Sequence, residues 1–147
     1  ITEEQLPISS NSVSKVYAID TLEHIPENII SFIGEIYRIL KIGGALIVKV
    51  PGEYYDPPSK NPLHQSSFDP QWFYSWDPSK PEHSKWDNFS CYPFNVSLLN
   101  KERVSSNPIS IIRRKINGKH IIFPFTTKSF TYKMEKLSNC THHPTNA

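Results

Sequence analysis

Long apolar runs are missing from this 147-residue chain, so no segment of about 20 residues is suited to cross a membrane as a helix. An N-terminal leader pattern, basic and then apolar, is missing too. Cysteine is scarce: two residues cannot staple a disulfide-dense secreted scaffold, and a cytoplasmic setting is expected. Cys91, Cys140, His142 and His143 lack the paired spacing of zinc ligands, so no metal site is expected. Glycine is equally thin, with five residues and no phosphate-binding glycine loop. No Ser-His-Asp elbow pattern occurs either. Methionine occurs once, as Met134, and the chain opens on Ile1, so it is expected to be part of a longer translation product.

What is present is the composition of a folded domain. Hydrophobic residues make up 37% and charged residues 20%, with a net charge of +2, which excludes a disordered acidic or basic tail. A chain of this length hides roughly two thirds of its unfolded surface and can build a core. The charge is unevenly spread. Residues 1–50 carry four Lys/Arg against six Asp/Glu, residues 51–100 three against six, and residues 101–147 nine against two. The basic end would suit nucleic acid or an anionic ligand. Its one short cluster, Arg113-Arg114-Lys115, lies inside a strand-like run, so a solvated basic surface is favoured and nucleic acid is not the expected partner.

Residues 13–19, Val-Ser-Lys-Val-Tyr-Ala-Ile, read as a strand closed by Asp20. Pro26-Glu27 suits the opening of a helix. Ile29, Ile30, Phe32, Ile33, Ile36, Tyr37 and Leu40 then recur at helical spacing, and Gly43-Gly44 reads as the helix stop. Residues 45–50, Ala-Leu-Ile-Val-Lys-Val, follow as a nearly continuous apolar strand of the kind buried on both faces. Strand, helix and strand make a βαβ unit. Residues 53–108 are rich in Pro, Ser, Asn and aromatics and read as loop with short elements. Asn117-Gly118 between two strand-like runs, 109–116 and 120–123, predicts an antiparallel hairpin. Ser138–Ala147 is polar, and a disordered tail is expected there. The fold class expected is α/β with a mixed sheet and an antiparallel edge.

Two segments carry a family resemblance. Residues 6–26, from Leu6-Pro7 through Asp20-Thr21-Leu22-Glu23-His24-Ile25-Pro26, resemble the fourth-strand region of class I S-adenosylmethionine-dependent methyltransferases. Residues 35–51, Glu-Ile-Tyr-Arg-Ile-Leu-Lys-Ile-Gly-Gly through Val50-Pro51, resemble that family's next motif, in the same order and at the same spacing. Asn61-Pro62-Leu63-His64 with Phe68 is similar to a segment common just after that strand, and the hairpin is similar to the fold's last two strands. Residues 72–108 have no clear counterpart. The family's glycine-rich turn is not in this sequence, nor is its ribose-binding acidic residue; Thr2, Ser14 and Ile42 stand where the family usually has Asp, Asp and Pro.

The resemblance implies a partial Rossmann-like fold, with residues 1–137 forming the C-terminal half of a methyltransferase domain. It implies S-adenosylmethionine as cofactor, with Gln5, Leu6, Asp20, Thr21, Leu22 and Glu23 beside the donor. His64 and His24 are the candidate catalytic residues, because imidazole can take a proton from the attacking hydroxyl or amine. Structural roles stay open for both, and helix-capping or plain exposure stays open for Asp20 and Glu23. Pro51, Tyr54, Tyr55 and Trp72 are candidates for holding a small-molecule or glycan-type acceptor. The aromatic segment 68–94 could be a lid or a satellite core, and for most of its rings the core is favoured. If the family's first strand is absent, residues 13–19 become a bare sheet edge open to a protein partner. A non-catalytic, methyltransferase-like interaction module is therefore the alternative function.

Overall fold

The computed structural model describes residues 5–25, 28–52, 61–83, 91–105, 113–116, 119–122 and 125–139. The first strand, β1, spans Val13–Ile19, and helix α1 spans Ile29–Ile39. Strand β2 spans Leu40–Pro51, and a short helix α2 spans Pro70–Tyr74. Then come β3 (Phe94–Ser105), β4 (Arg113–Ile116), β5 (Lys119–Ile122) and β6 (Phe125–Lys136). Four of these form one sheet in the order β1-β2-β6-β3. β1 and β2 are parallel, whereas β2–β6 and β3–β6 are antiparallel.

The βαβ unit forms where the periodicity placed it, with one shift. The expected opening at Pro26-Glu27 lies outside the described residues. Asn28 caps α1, its side chain accepting the Ser31 N–H at 3.3 Å. The helix ends at Ile39, because Leu40 is already extended, with ψ 137°. Gly43-Gly44 therefore does not stop a helix. Gly43 takes φ 75° inside β2, where the pairing with β1 slips between Val13 and Lys15. Only glycine adopts that angle without strain, so the pair makes a bulge and not a helix end.

One face of the sheet is covered. Leu46, Val48 and Val50 stand directly opposite Met134, Tyr132 and Phe130, and all six are buried. Ile33, Ile36, Tyr37 and Ile39 of α1 pack into the same core, as does Phe73 of α2, which stacks on Tyr132 with ring centres 4.2 Å apart. Alternate residues of β2, Ile47 and Lys49, are only half-buried. Hence β2 is not buried on both faces among the described residues. On the same open side, the β1 residues Tyr17 and Ile19 are 64% and 46% exposed.

Two further expectations change. The hairpin forms, with Ile116 opposite Lys119, but β4 and β5 make a separate two-stranded sheet. The antiparallel part of the main sheet is built by β3 and β6, so these long strands, and not the hairpin, are its last two. The loop-rich reading of 53–108 also missed β3 altogether. The Asn117-Gly118 turn and residues 140–147 of the tail lie outside the described residues.

The starts of β1 and β2 are fastened to the end of β6 by a buried lysine. Lys136 Nζ donates to Asn11 Oδ1, Tyr37 O and Leu40 O at 2.9, 2.8 and 2.9 Å. Two of these acceptors are carbonyls at the C-terminal end of α1, which the helix leaves unpaired and partly negative. The ammonium also lies 4.4 Å from the centre of the Tyr37 ring.

Candidate functional site

At the carboxyl end of β1 the chain turns off the sheet. Asp20 still donates its N–H to Lys49 O at 3.0 Å, but takes φ 48°. Asp tolerates this left-handed angle better than most side chains. Residues 22–24 then make a single 3-10 turn, closed by His24 N–H to Thr21 O at 3.1 Å and Ile25 N–H to Leu22 O at 3.2 Å. The turn sorts its residues. Leu22 enters the core, Glu23 is 1% exposed, and Asp20, Thr21 and His24 face solvent.

The segment 61–66 lies against this turn. Gln65 and Ser66 donate their N–H groups to Glu23 O at 2.7 and 3.3 Å. His24 Nδ1 is 3.0 Å from Leu63 O. A carbonyl only accepts, so Nδ1 carries the proton and, in the neutral ring, Nε2 keeps the lone pair. His64 is buried, and its ring meets that of His24 edge-on, with centres 4.9 Å apart. Asn61 orients it. The Asn61 side-chain oxygen accepts the Leu63 N–H at 3.1 Å, so its NH2 faces His64 Nε2, also at 3.1 Å.

Glu23, His24 and His64 thus form one corner, with candidate ligand atoms all within 4.8 Å of one another. Glu23 Oε2 is buried and makes no hydrogen bond. Burial pushes the Glu23 carboxyl above the ordinary range; its own backbone N–H pulls it back, Asp20 adds to the rise, and the two histidines oppose it. The arrangement can hold or pass a proton, and it can hold a cation.

A family profile described as a methyltransferase domain matches residues 2–48. The YcgJ protein of Bacillus subtilis shares the architecture, with TM-score 0.58 at 11% identity, over 91% of this chain and 68% of that one. The BH2331 protein of Bacillus halodurans C-125, assigned as a methyltransferase, gives TM-score 0.56 at 14% identity over the same shares, 91% and 68%. The chain has a class I methyltransferase-like fold. No curated protein sequence matches it.

In a methyltransferase-like sheet, as in other open α/β sheets, ligands sit beyond the carboxyl ends of the parallel strands. The 20–24 turn and Pro51 occupy such ends. Pro51 is half-buried and pairs with Ser129 of β6. Leu6 is tied to α1: its N–H donates to Glu35 Oε1 at 2.8 Å and its carbonyl accepts from Arg38 at 3.2 Å. Gln5 beside it is exposed. Trp72 is half-buried and packs edge-on against Phe68, Phe73 and Trp76, at 4.9, 5.0 and 5.5 Å. Tyr54 and Tyr55 lie outside the described residues. Asn61 stood in the sequence only as part of a resembling segment, and not as a site residue. Its spacing of three before His64 was the available signal, since an Asn there closes a turn on its own backbone.

Proposed function

We propose that the chain forms the acceptor-side half of a methyltransferase and takes part in methyl transfer from S-adenosylmethionine to a small-molecule or glycan-type acceptor. The observation that carries this reading is the corner at the end of β1, where His24 and His64 meet beside Glu23. The matched profile and the shared fold support the same chemistry in general terms.

In the proposed reaction the acceptor oxygen or nitrogen forms a bond to the methyl carbon as the sulfur–carbon bond breaks. The acceptor's proton passes to a histidine, and the sulfonium becomes a neutral thioether. His24 is the exposed, accessible base, with its lone pair on Nε2. His64 holds the position of that ring from the buried side, and Asn61 holds His64. Much of the gain comes from alignment of nucleophile, methyl and sulfur, so the base adds to a rate that positioning already raises. On the donor side we assign Asp20, Thr21, Leu22 and Glu23, together with Gln5 and Leu6. Asp20 and Thr21 present polar groups to solvent, whereas Leu22 and Glu23 shape the floor beneath them. Pro51, Tyr54, Tyr55 and Trp72 would bound the acceptor. The glycine-rich turn of the donor side is not among these 147 residues, and the setting proposed is cytoplasmic. Among the described residues no helix is long and apolar enough to cross a membrane.

Equilibrium titration of S-adenosylmethionine into the 147-residue chain tests the reading. Saturable binding that weakens in Asp20→Ala supports it. No binding, with none restored by a chain carrying the glycine-rich turn, sinks it. A second reading is favoured by one observation: β1 is an edge strand of the sheet among the described residues, with Tyr17 and Ile19 exposed. Such an edge accepts a partner strand. A stable monomer by light scattering at high concentration would argue against that module.

A further inference from the structure

We propose that Glu23, His24 and His64 bind one divalent first-row transition cation, of the zinc or cobalt kind. The three side chains offer one carboxylate oxygen and two imidazole nitrogens, already within 4.8 Å of one another. Donor atoms that share an ion at about 2.1 Å sit about 3–4 Å apart, so binding needs a closure of about an ångström.

Two independent features point to a cation. The first is Glu23 Oε2, an oxygen buried in a residue only 1% exposed and left without a hydrogen bond. A buried carboxylate oxygen is expensive to leave unmet, and a bound cation meets it. The second is the support around the imidazoles. Histidines that ligate metals commonly donate the other ring N–H to a backbone carbonyl, which fixes the tautomer. His24 does this with Leu63 O at 3.0 Å, leaving Nε2 to coordinate; in the metal-bound chain that nitrogen no longer serves as the base proposed above. His64 has its lone pair on Nε2, where Asn61 now donates at 3.1 Å; an entering ion competes with that amide for the nitrogen.

The donor set selects the ion. Imidazole suits zinc, iron, cobalt and nickel, whereas magnesium and calcium prefer all-oxygen cages. Three protein ligands leave at least one position of the ion for water or an acceptor oxygen. The site was not legible as a zinc motif, because its ligands come from a Glu-His pair in one turn and a single histidine in a later loop.

The test is a titration of the chelator-treated chain with cobalt(II), followed by visible absorption, with zinc(II) calorimetry beside it. One cobalt per chain is expected, with an absorption band that zinc displaces. His24→Asn, Glu23→Gln and His64→Ala should each weaken binding at least tenfold. His142→Ala/His143→Ala should leave it unchanged. His24 is exposed, so His24→Asn should keep its circular dichroism and melting transition, and its loss of binding cannot then be unfolding. Saturable binding that is unaltered by His24→Asn, or no binding below millimolar metal, overturns the proposal. Neither result depends on binding of the methyl donor.

Discussion

Asp77 and Glu23 are both buried carboxyl groups, at 2% and 1% exposure, and the fold treats them oppositely. Asp77 follows α2. Its Oδ1 accepts the Ser79 N–H at 2.9 Å and the Ser79 hydroxyl at 2.7 Å, and its Oδ2 accepts the Val96 N–H at 2.9 Å. Burial pushes this carboxyl up, but the hydrogen bonds from Val96 and Ser79, with Lys80 nearby, outweigh it and hold the group below its ordinary range. Glu23 has an oxygen with no partner, and burial wins. Burial by itself therefore says nothing about use. A buried polar group whose bonds are complete is a clasp, here joining the end of α2 to the start of β3. One whose bonds are incomplete is a candidate for binding something else.

Lys136 falls on the clasp side of that line and should show the largest effect. Lys136→Met leaves two helix-end carbonyls and Asn11 without their donor, and about 4 kcal/mol of stability should be lost in urea unfolding. Asp77→Ala should cost about 3 kcal/mol, because the Val96 N–H stays buried without an acceptor. Glu23→Gln should change stability by about 1 kcal/mol or less, in either direction, since it removes a charge that lacks full compensation. Equal losses at Asp77 and Glu23 would erase the contrast.

Acidity sharpens it further. A carboxyl held low in the fold contributes stability above its unfolded value, about 3.9 for Asp, and that contribution is lost as pH falls through the lower folded value. A carboxyl held high contributes fully below about 4.3, the unfolded value for Glu, and its contribution is lost as pH rises through the higher folded value. Melting temperatures across pH should therefore show a shallower acid fall in Asp77→Asn. In Glu23→Gln, the decline on the rising side of about pH 4 should shrink. The smallest effect is at Tyr132, whose buried hydroxyl lacks a partner and is pushed up by burial. Tyr132→Phe should be neutral or stabilise by about 1 kcal/mol, as thermal unfolding would show.

The βαβ unit was legible because its signals are local. The β-branched run of β1 and the helical spacing of α1 need only their own neighbours in sequence. The same glycines that looked like a helix stop instead bend β2, since positive φ serves either purpose. β3 was hidden for the opposite reason. Phe94 and Val96 are buried, but Leu98 and Leu99 are 42% and 54% exposed, so no clean alternation marks the strand. Its state is imposed by pairing with β6, which local propensity cannot report. The site divides in the same way. Glu23-His24 and His64 stood out separately, through the chemistry of their side chains and the resemblance. That the two segments meet is a tertiary fact, visible in the His24–Leu63 bond across 39 positions. The packing of Trp72 against Phe68, Phe73 and Trp76 was likewise not legible, because a ring in sequence does not announce its neighbours.

The position of β6 has a consequence for how the molecule comes into being. β6 is the last of the described strands in sequence, yet it lies between β2 and β3. As the chain leaves the ribosome, β1, α1 and β2 can assemble early from near neighbours. β3, which among the described strands pairs with β6 alone, must wait until the residues up to Lys136 have emerged. Completion is thus a single late insertion that joins both halves of the sheet and delivers the lysine to its three acceptors. A nascent chain stopped before that point would carry two unfinished edges in place of one finished sheet.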